Sequence, residues 1–300
     1  MIAIIILYAL CASTFTICKA LLEYVKPFFF IAVRMLVAGG LLLTYSFWKD
    51  RNCFTIKKQD WLLFVQIILF HVYFAYILDL WSLQYITSSK SSFLYNLSPF
   101  MAALFSYFYF AEKMTAKKWL GLLIGFCGFL PEMLLKASSS SLHSTIFLSF
   151  PEIILLIAVT SAVYGWITVR KLVKNGGYSP MVVNGIGMVG GGLLALITSY
   201  IIEGWKVNPV FDFWPFVKLT ALIILVCNII FYNFYGYLLT RYTATFLSFA
   251  GFITPLFAAL FGWFFLEESV NWTFFLSFII VCVGLYIFYQ EELRQGYNIS

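Results

Sequence analysis

Charged side chains inside the apolar segments of this chain are the first candidates for chemistry. Asp79 lies within one such segment, Lys90 begins another, and Lys19 ends the first. On insertion scales a charged residue at membrane depth costs at least about 2.5–3.5 kcal/mol, so each needs a compensating role. Asp79 can hold an ammonium group, a sulfonium group or a coupling proton, and Lys90 can hold a carboxylate. The alternatives are an ion pair of Asp79 with either lysine, and lysines that extend to the membrane surface.

A polar face follows Lys90 along the chain. If this segment is a helix, one side of it carries Ser92, Tyr95, Asn96 and Pro99, which are spaced three and four residues apart. Proline leaves a backbone carbonyl free one turn earlier, near Tyr95, where it can serve a ligand or a hinge. Pro255 occupies the matching place in the second half of the chain. For both prolines the alternative is a kink that only shapes the bundle.

Later apolar segments also contain polar and aromatic residues, namely Tyr164, Trp166, Asn228 and Tyr232. Asn228 and Tyr232 are one helical turn apart and share a face, where they can bind an adenine edge or an amino-acid head group. The alternative is hydrogen bonding between helices, worth about 0.6–2 kcal/mol each. Tyrosine and tryptophan faces suit a flat base or a cation. These residues, with Asp79 and the Ser92 face, predict a substrate cavity near the middle of the bilayer.

The composition identifies the elements that must position these residues. Apolar residues make up 62% of the 300 residues, charged residues only 11%, and the mean hydropathy is +0.93. Water-soluble domains carry about 25% charged residues, so the chain is predicted to cross a lipid bilayer several times. The net charge of +6 is spread over short loops, and no nucleic-acid partner is expected. The six cysteines lack metal-ligand spacing, so no metal and no cofactor is expected.

Ten apolar segments are long enough for helices that cross a bilayer, which need about 20 residues. They are residues 2–20, 28–48, 61–81, 91–111, 117–135, 151–170, 180–202, 214–236, 243–265 and 272–290. Backbone groups in lipid need internal hydrogen bonds, so helices are the expected form. The predicted fold class is therefore an all-α membrane protein with ten transmembrane helices.

The chain also contains an internal repeat at an offset of 156 residues. Residues 98–112 and 254–268 share seven identities at this offset, among them Pro99 with Pro255 and Glu112 with Glu268. A polar connection, 137–150, separates a first unit, 1–136, from a second, 151–300. Each unit holds five apolar segments, and this odd number turns the second unit upside down relative to the first. The predicted architecture is two inverted five-helix repeats.

These motifs resemble the EamA branch of the drug/metabolite transporter superfamily. The resemblance rests on Pro27, Arg34, Pro99, Glu112, Gly121, Pro255, Glu267 and Glu268. It implies a ten-helix secondary transporter with a central cavity between inverted repeats and without covalent chemistry. At its matching position Arg34 is expected to be structural, with carboxylate binding as the alternative. Glu112 is expected to cap a helix or to pair with Lys117 or Lys118.

In its compact, Phe- and Ile-rich character the chain also resembles the S-adenosylmethionine carriers of intracellular bacteria within that branch. The favoured hypothesis is transport of a small zwitterionic metabolite, with S-adenosylmethionine as the substrate and exchange for S-adenosylhomocysteine as one mode. Aromatic or other amino acids are the alternative substrates, and a proton is the alternative coupling partner. A hypothesis from another class is a membrane enzyme acting on lipid, which His71, His143 and the pair Glu267–Glu268 support only weakly.

The basic residues predict the orientation in a bacterial inner membrane. With the N-terminus inside, twelve basic residues fall in the cytoplasmic loops and tail, and five fall in the outer loops. The outer five are Lys26, Lys90, Lys136, Lys206 and Lys218. Because cytoplasmic loops carry the excess of lysine and arginine, both termini are predicted to be cytoplasmic.

This orientation predicts opposite labelling of two loops by a membrane-impermeant maleimide on intact cells. A cysteine introduced by Ser139→Cys should react, because the 137–150 connection faces outwards. The native Cys53, in the loop between the second and third segments, should react only after the membrane is permeabilised. The reverse pattern, with Cys53 labelled first from outside, would place both termini on the outer side.

Overall fold

The structure is a computed structural model that describes residues 2–51, 55–86, 91, 94–128, 149–205, 208–254, 256–257 and 272–296. Within these ranges the regular elements are helices and no β-strand is formed, which confirms the all-α class. In chain order the helices are α1 (Ile2–Leu21), α2 (Pro27–Lys49), α3 (Trp61–Leu83), α4 (Ser98–Phe110), α5 (Ala116–Cys127), α6 (Phe150–Asn175), α7 (Pro180–Glu203), α8 (Phe213–Arg241), α9 (Ala244–Ala250) and α10 (Trp272–Arg294).

Six of the described helices are long and apolar enough to cross a membrane: α2, α3, α6, α7, α8 and the stretch Phe275–Arg294 of α10. A helix of 23 residues, such as α2, is ~34 Å long at ~1.5 Å per residue, enough for a hydrocarbon core of ~30 Å. The chain is therefore a multi-pass membrane protein. Shorter apolar helices occur at Ala3–Thr14 and Ala244–Ile253, and the full count of ten spans stays a prediction.

Glycines bring the backbones of α2 and α7 into contact. A Cβ added at Gly39 would lie 2.8 Å from the backbone nitrogen of Val189 and 2.9 Å from the carbonyl oxygen of Gly185. One turn back along α2, the backbone nitrogen of Leu36 would lie 3.0 Å from a Cβ at Gly192. The contact therefore moves backwards along α2 as it moves forwards along α7, so the two helices are antiparallel. Small residues allow this close approach in membranes.

A second glycine contact joins α5 and α10. A Cβ at Gly284 would lie 2.6 Å from the carbonyl oxygen of Gly121, and a Cβ at Gly121 would lie 3.0 Å from the backbone nitrogen of Phe288. Two turns later in α5, Gly128 faces Val281, at 3.0 Å from the added Cβ. This pair of helices is antiparallel as well.

The helix pairs follow a regular scheme in the described part of the chain. α2 packs on α7, α4 on α9 and α5 on α10, so helices five places apart meet. α3 packs on α6, and α8, five places after α3, packs on α1. Adding five to each helix number, and counting on from α10 to α1, therefore gives the same set of pairs. Two inverted five-helix units would produce this scheme, because helices related by the inversion run antiparallel.

Two π-helical turns lie at corresponding places in α3 and α8. α3 departs from α-helical hydrogen bonding over Ile67–Phe74, and α8 does so over Ile224–Phe231, 157 residues later. Such turns are rare and frequently occur at functional sites. The two helices that carry them are therefore the first place to look for a site.

The helices at the predicted proline kinks are also interrupted. The chain leaves the helix at Asn96 and Leu97, directly before α4 and Pro99. In the second half, a 3₁₀ turn at Gly251–Ile253 follows α9. Pro255 itself lies outside the described residues.

Glu203 holds one end of the bundle together. Its two carboxylate oxygens accept hydrogen bonds from the backbone N–H groups of Phe28 and Phe29, at 2.7 and 3.0 Å, and so cap the start of α2. An isolated antiparallel bridge between Val25 and Val210 joins the neighbouring connections. The α1–α2 connection is thereby fixed to the α7–α8 connection.

Adjacent glycines in α2 provide a test of the α2–α7 contact. Gly39→Ala should lower the free energy of unfolding by about 1–3 kcal/mol, because the methyl group would overpack against the α7 backbone. Gly40→Ala is the matched control, since a Cβ at Gly40 meets nothing within 4 Å. Unfolding by SDS titration in mixed micelles measures both. Equal stability of the two variants would contradict the close contact.

Candidate functional site

The guanidinium of Arg34 lies in the interior between α2, α8 and α1. The residue is 3% exposed. Its Nε donates a hydrogen bond to Oδ1 of Asn228 at 2.7 Å, and its terminal nitrogens contact the Sγ atoms of Cys227 and Cys18 at 2.9 and 3.9 Å. Thiols are weak acceptors, and no carboxylate of the described residues lies within ion-pair distance of this group. The positive charge is therefore only partly compensated.

Asn228 is fixed so that its oxygen faces Arg34. The residue is fully buried, and its Nδ2 contacts the Sδ atoms of Met35 and Met188 at 3.3 and 3.7 Å. It belongs to the π-helical turn of α8, in which the carbonyl of Ile229 accepts a hydrogen bond from Nδ2 of Asn233 at 2.8 Å. The π turn is thus satisfied locally while the Asn228 side chain serves the guanidinium.

Tyr76 and Tyr232 join the two π-containing helices directly through a hydrogen bond between their hydroxyls. These tyrosines are 156 residues apart, the offset of the sequence repeat. The Cζ atom of Arg34 lies 5.4 Å from the centre of the Tyr76 ring, a cation–π contact. Helices α3 and α8 therefore meet beside the buried charge.

Aromatic rings extend from Tyr232 towards the middle of α6. The ring of Trp166 lies 5.1 Å from that of Tyr232, 4.0 Å from that of Tyr235 and 4.3 Å from that of His71, centre to centre. His71 is 2% exposed, and neither ring nitrogen has a hydrogen-bond partner among the described residues. Gly165 allows this contact, because a Cβ there would lie 2.5 Å from the Cα of His71. The cluster offers flat faces and an unused imidazole.

A carboxylate, that of Asp79, lies on α3 three residues after Tyr76. Asp79 and Tyr95 interact electrostatically, and the buried Oδ1 atom of Asp79 has no hydrogen-bond partner among the described residues. Among the described residues the Asp79 carboxylate and the Arg34 guanidinium therefore do not pair with each other.

An open cavity of about 330 Å³ lies at the end of the bundle where α3 ends. It is lined by Lys26, Pro27, Phe28, Trp81, Gln84, Tyr85, Ile202 and Glu203. Asp79 lies four residues before the last residue of α3, or ~6 Å along the helix axis. This end of the bundle is therefore the more open approach to Asp79 in the described structure.

Buried ion pairs stabilise the opposite end. Glu112 pairs with Arg170 at 2.6 Å, and Lys118 pairs with Glu292 at 3.1 Å, while Thr243 donates a hydrogen bond to Glu292. The expectation that Glu112 would pair with Lys117 or Lys118 is wrong. Each charge instead reaches a different helix, because both α6 and α10 pass close to the start of α5.

The structure brings together some of the predicted site residues. Trp166, Asn228 and Tyr232 belong to the central cluster, and Asp79, Tyr95 and the buried Asn96 lie in or next to α3 and α4. Tyr164 is on the other side of α6, where its hydroxyl bonds to that of Tyr109 at 3.0 Å. Lys90 and Ser92 lie outside the described residues.

Several site residues were missed or undervalued in the sequence. Arg34 was expected to be structural, and Cys18, Tyr76, Cys227 and Tyr235 were not considered. A signal existed for Tyr76, because the repeat offset relates it to the predicted Tyr232. Within the described ranges, no three His, Cys, Asp or Glu side chains form a group that could hold a metal ion.

Comparisons with known proteins find similarity along the whole chain. The sequence pattern of the EamA-like transporter family matches residues 1–130 and 149–290. The S-adenosylmethionine/S-adenosylhomocysteine transporter of Chlamydia muridarum is 33% identical over 290 residues, which cover 96% of this chain and 91% of that protein. A transporter of the same name from Chlamydia trachomatis serovar D is also 33% identical, with 96% and 88% covered.

More distant proteins share the fold or the transporter description. A Synechocystis protein called an uncharacterized transporter is 28% identical, with 91% of this chain and 84% of that protein covered. A crystal structure that is 15% identical has a TM-score of 0.74, with 98% of this chain and 96% of that chain covered. At this identity the likeness concerns the fold alone.

Neighbouring lysines in α5 test the buried ion pair between Lys118 and Glu292. Lys118→Gln should lower the free energy of unfolding by about 3–5 kcal/mol, because it leaves the buried Glu292 without its cation. Lys117→Gln is the matched control, since Lys117 is exposed, and it should change stability by no more than about 0.5 kcal/mol. SDS titration measures both values. A loss for Lys118→Gln as small as that of the control would contradict a stabilising role of the pair.

Proposed function

Because the chain belongs to the EamA-like transporter family, we propose that it carries S-adenosylmethionine across the bacterial inner membrane in exchange for S-adenosylhomocysteine. The main support for this substrate is the similarity, over 96% of the chain, to chlamydial proteins named for these two compounds. Similarity of this extent includes every helix that contributes to the candidate site.

The chemistry of the candidate site supports this substrate. S-adenosylmethionine carries a carboxylate, an ammonium group, a sulfonium cation and a flat adenine ring. The site offers the guanidinium of Arg34, the carboxylate of Asp79 and the rings of Tyr76, Trp166 and Tyr232. Aromatic faces bind cations with about 0.5–2 kcal/mol and also stack on flat rings. Asn96 and Asn228 add neutral hydrogen-bonding groups, and Lys90 and Ser92 remain proposed contributors from the sequence.

The proposed architecture is ten helices in two inverted repeats, with the site between them. The antiparallel contacts of α2 with α7 and of α5 with α10 support it. So do the two separate family matches, which correspond to the proposed units 1–136 and 151–300. Inverted repeats place the substrate where the two units meet, near the bilayer midplane, often beside interrupted helices. Both termini are proposed to be cytoplasmic, as the basic residues predict, and Pro99 and Pro255 to act as hinges.

A second candidate function is transport of amino acids, aromatic or other. It is favoured by the same pair of charges, since every α-amino acid carries a carboxylate and an ammonium group. The hypothesis of a lipid-modifying enzyme is set aside, because the family consists of transporters. Exchange is proposed over proton coupling because the two compounds in the relatives' name differ by one methyl group and one charge, and suit one site.

Uptake into proteoliposomes tests the substrate and the mode together. Vesicles that contain the purified protein and are loaded with S-adenosylhomocysteine should take up labelled S-adenosylmethionine several-fold faster than unloaded vesicles. The reason is that the binding site of an exchanger returns to the outer side only with an internal substrate bound. A protonophore should not slow this exchange, because no proton gradient drives it; it can speed the exchange by removing the potential that the one net positive charge moved in each cycle builds up. Uptake is followed by filtration and scintillation counting.

Vesicles loaded with phenylalanine are the control for the exchange. They should behave like unloaded vesicles if the adenosyl compounds are the substrates. Stimulation by phenylalanine, without uptake of S-adenosylmethionine above protein-free vesicles, would establish the amino-acid alternative. Loss of uptake with the protonophore would indicate proton-coupled transport instead of exchange.

A further inference from the structure

The buried cations that the structure describes differ in how their charge is compensated. Arg170 and Lys118 each have a carboxylate as counter-ion, at 2.6 and 3.1 Å. Arg34 is buried to the same degree, but in the described part of the chain no carboxylate lies within ion-pair distance of it. An arginine side chain does not lose its proton in a protein, so this charge persists whatever the state of the bundle.

The groups that surround the Arg34 guanidinium carry no negative charge. They are the amide oxygen of Asn228, the thiols of Cys227 and Cys18, and the face of the Tyr76 ring. Thiols are weak acceptors. Leaving a buried charge without a counter-ion is strongly unfavourable, and inside a bilayer no solvent takes the place of the missing anion. A further group is therefore needed whenever this region is closed to water.

One side of the guanidinium is open to such a group. Its Nε is occupied by Asn228 and its Nη2 by Cys227, and both of these residues are buried. Its Nη1, in contrast, contacts Cys18 only at 3.9 Å. Cys18 and the Tyr76 ring both keep part of their surface accessible. An anion can therefore approach the terminal nitrogen beside Cys18 and Tyr76.

We propose that Arg34 couples the two directions of transport, because its guanidinium requires the carboxylate of a bound substrate as counter-ion before the bundle can close around the site. This role rests on the proposed function and deepens it. Hydrogen bonds between a guanidinium and a carboxylate are charge-assisted and roughly twice as strong as neutral ones. S-adenosylmethionine and S-adenosylhomocysteine both carry an α-carboxylate, so either compound can supply the missing anion.

The empty carrier is then held open to one side of the membrane. Closing it without a substrate would remove water from Arg34 and put nothing in its place, so the closed empty state is scarcely populated. With a carboxylate bound, the same closure forms a buried ion pair. Coupling depends in this way on the group that the two compounds share, and not on the sulfonium in which they differ.

Exchange by the wild-type protein tests the carboxylate requirement. Proteoliposomes are loaded with S-adenosylhomocysteine, with decarboxylated S-adenosylmethionine or with buffer, and the uptake of labelled S-adenosylmethionine is measured. The decarboxylated compound keeps the adenosine, the sulfonium and the amino group, and it is used at a concentration that inhibits uptake from outside, so that it occupies the site. S-adenosylhomocysteine should stimulate uptake several-fold, and the decarboxylated compound should not. Equal stimulation by both would overturn the proposal.

The variant Arg34→Gln tests the charge itself. The ratio of uptake into loaded and unloaded vesicles should fall from several-fold to about one, because without the charge the empty site closes as readily as the occupied one. This ratio is measured within one protein preparation, so a weaker affinity or a smaller folded fraction does not produce the change. Arg34→Lys keeps the charge and should keep a ratio well above one.

The matched control is Arg241→Gln, which removes the same charge at an exposed position and should keep the wild-type ratio. A ratio for Arg34→Gln that equals that of the wild type would overturn the proposal. If Arg34→Gln does not fold, the experiment with the decarboxylated compound decides.

The outcomes separate the coupling role from the proposed substrate. If phenylalanine is exchanged and adenosyl compounds are not, the same ratios with internal phenylalanine and phenethylamine test Arg34, and only the adenosyl substrate is lost. If S-adenosylmethionine enters at one rate whatever carboxylate is inside, the coupling role is wrong and the substrate stands.

Discussion

A positive charge in the interior of a membrane protein is the constraint on which the centre of this structure depends. Arg34 cannot lose its proton, and the surrounding lipid offers no solvent to stabilise it. The protein stabilises it through the Asn228 oxygen, two cysteine sulfurs and the Tyr76 ring. These groups come from α1, α3 and α8, and Arg34 itself from α2, so the position of one guanidinium determines how four helices meet.

The glycine contacts make that meeting possible. α2 carries Arg34, and one turn and a half later its Gly39 lies against the α7 backbone. Because the two backbones touch, α2 cannot slide or rotate without a steric clash, and the Arg34 side chain keeps its direction. The α5–α10 contact has the same effect at the other side of the bundle. Close helix–helix contacts through glycines thus surround a centre in which rings, amides and thiols contact one another.

The sequence predicted the helices well and the site in part. Hydropathy is a local property, and α2, α3 and α7 begin and end within two residues of their predicted limits. The Arg34–Asn228 bond joins residues 194 positions apart, and apolar segments alone do not specify such pairs. The different positions of Tyr164 and Trp166 follow from the helical period, since residues two apart lie on nearly opposite faces. The π turns have no recognised sequence signal and emerged only with the backbone.

The corresponding π turns in α3 and α8 have a consequence for the origin of this chain. A π turn closes its hydrogen bond one residue later than an α turn, so it records one extra residue in a helix. On the proposed architecture, a single insertion in an ancestral five-helix protein, made before the gene was copied, accounts for both. At the repeat offset of 156 the side chains have since diverged, to His71 in one copy and Cys227 in the other. The backbone irregularity would then be older than the substrate preference built upon it.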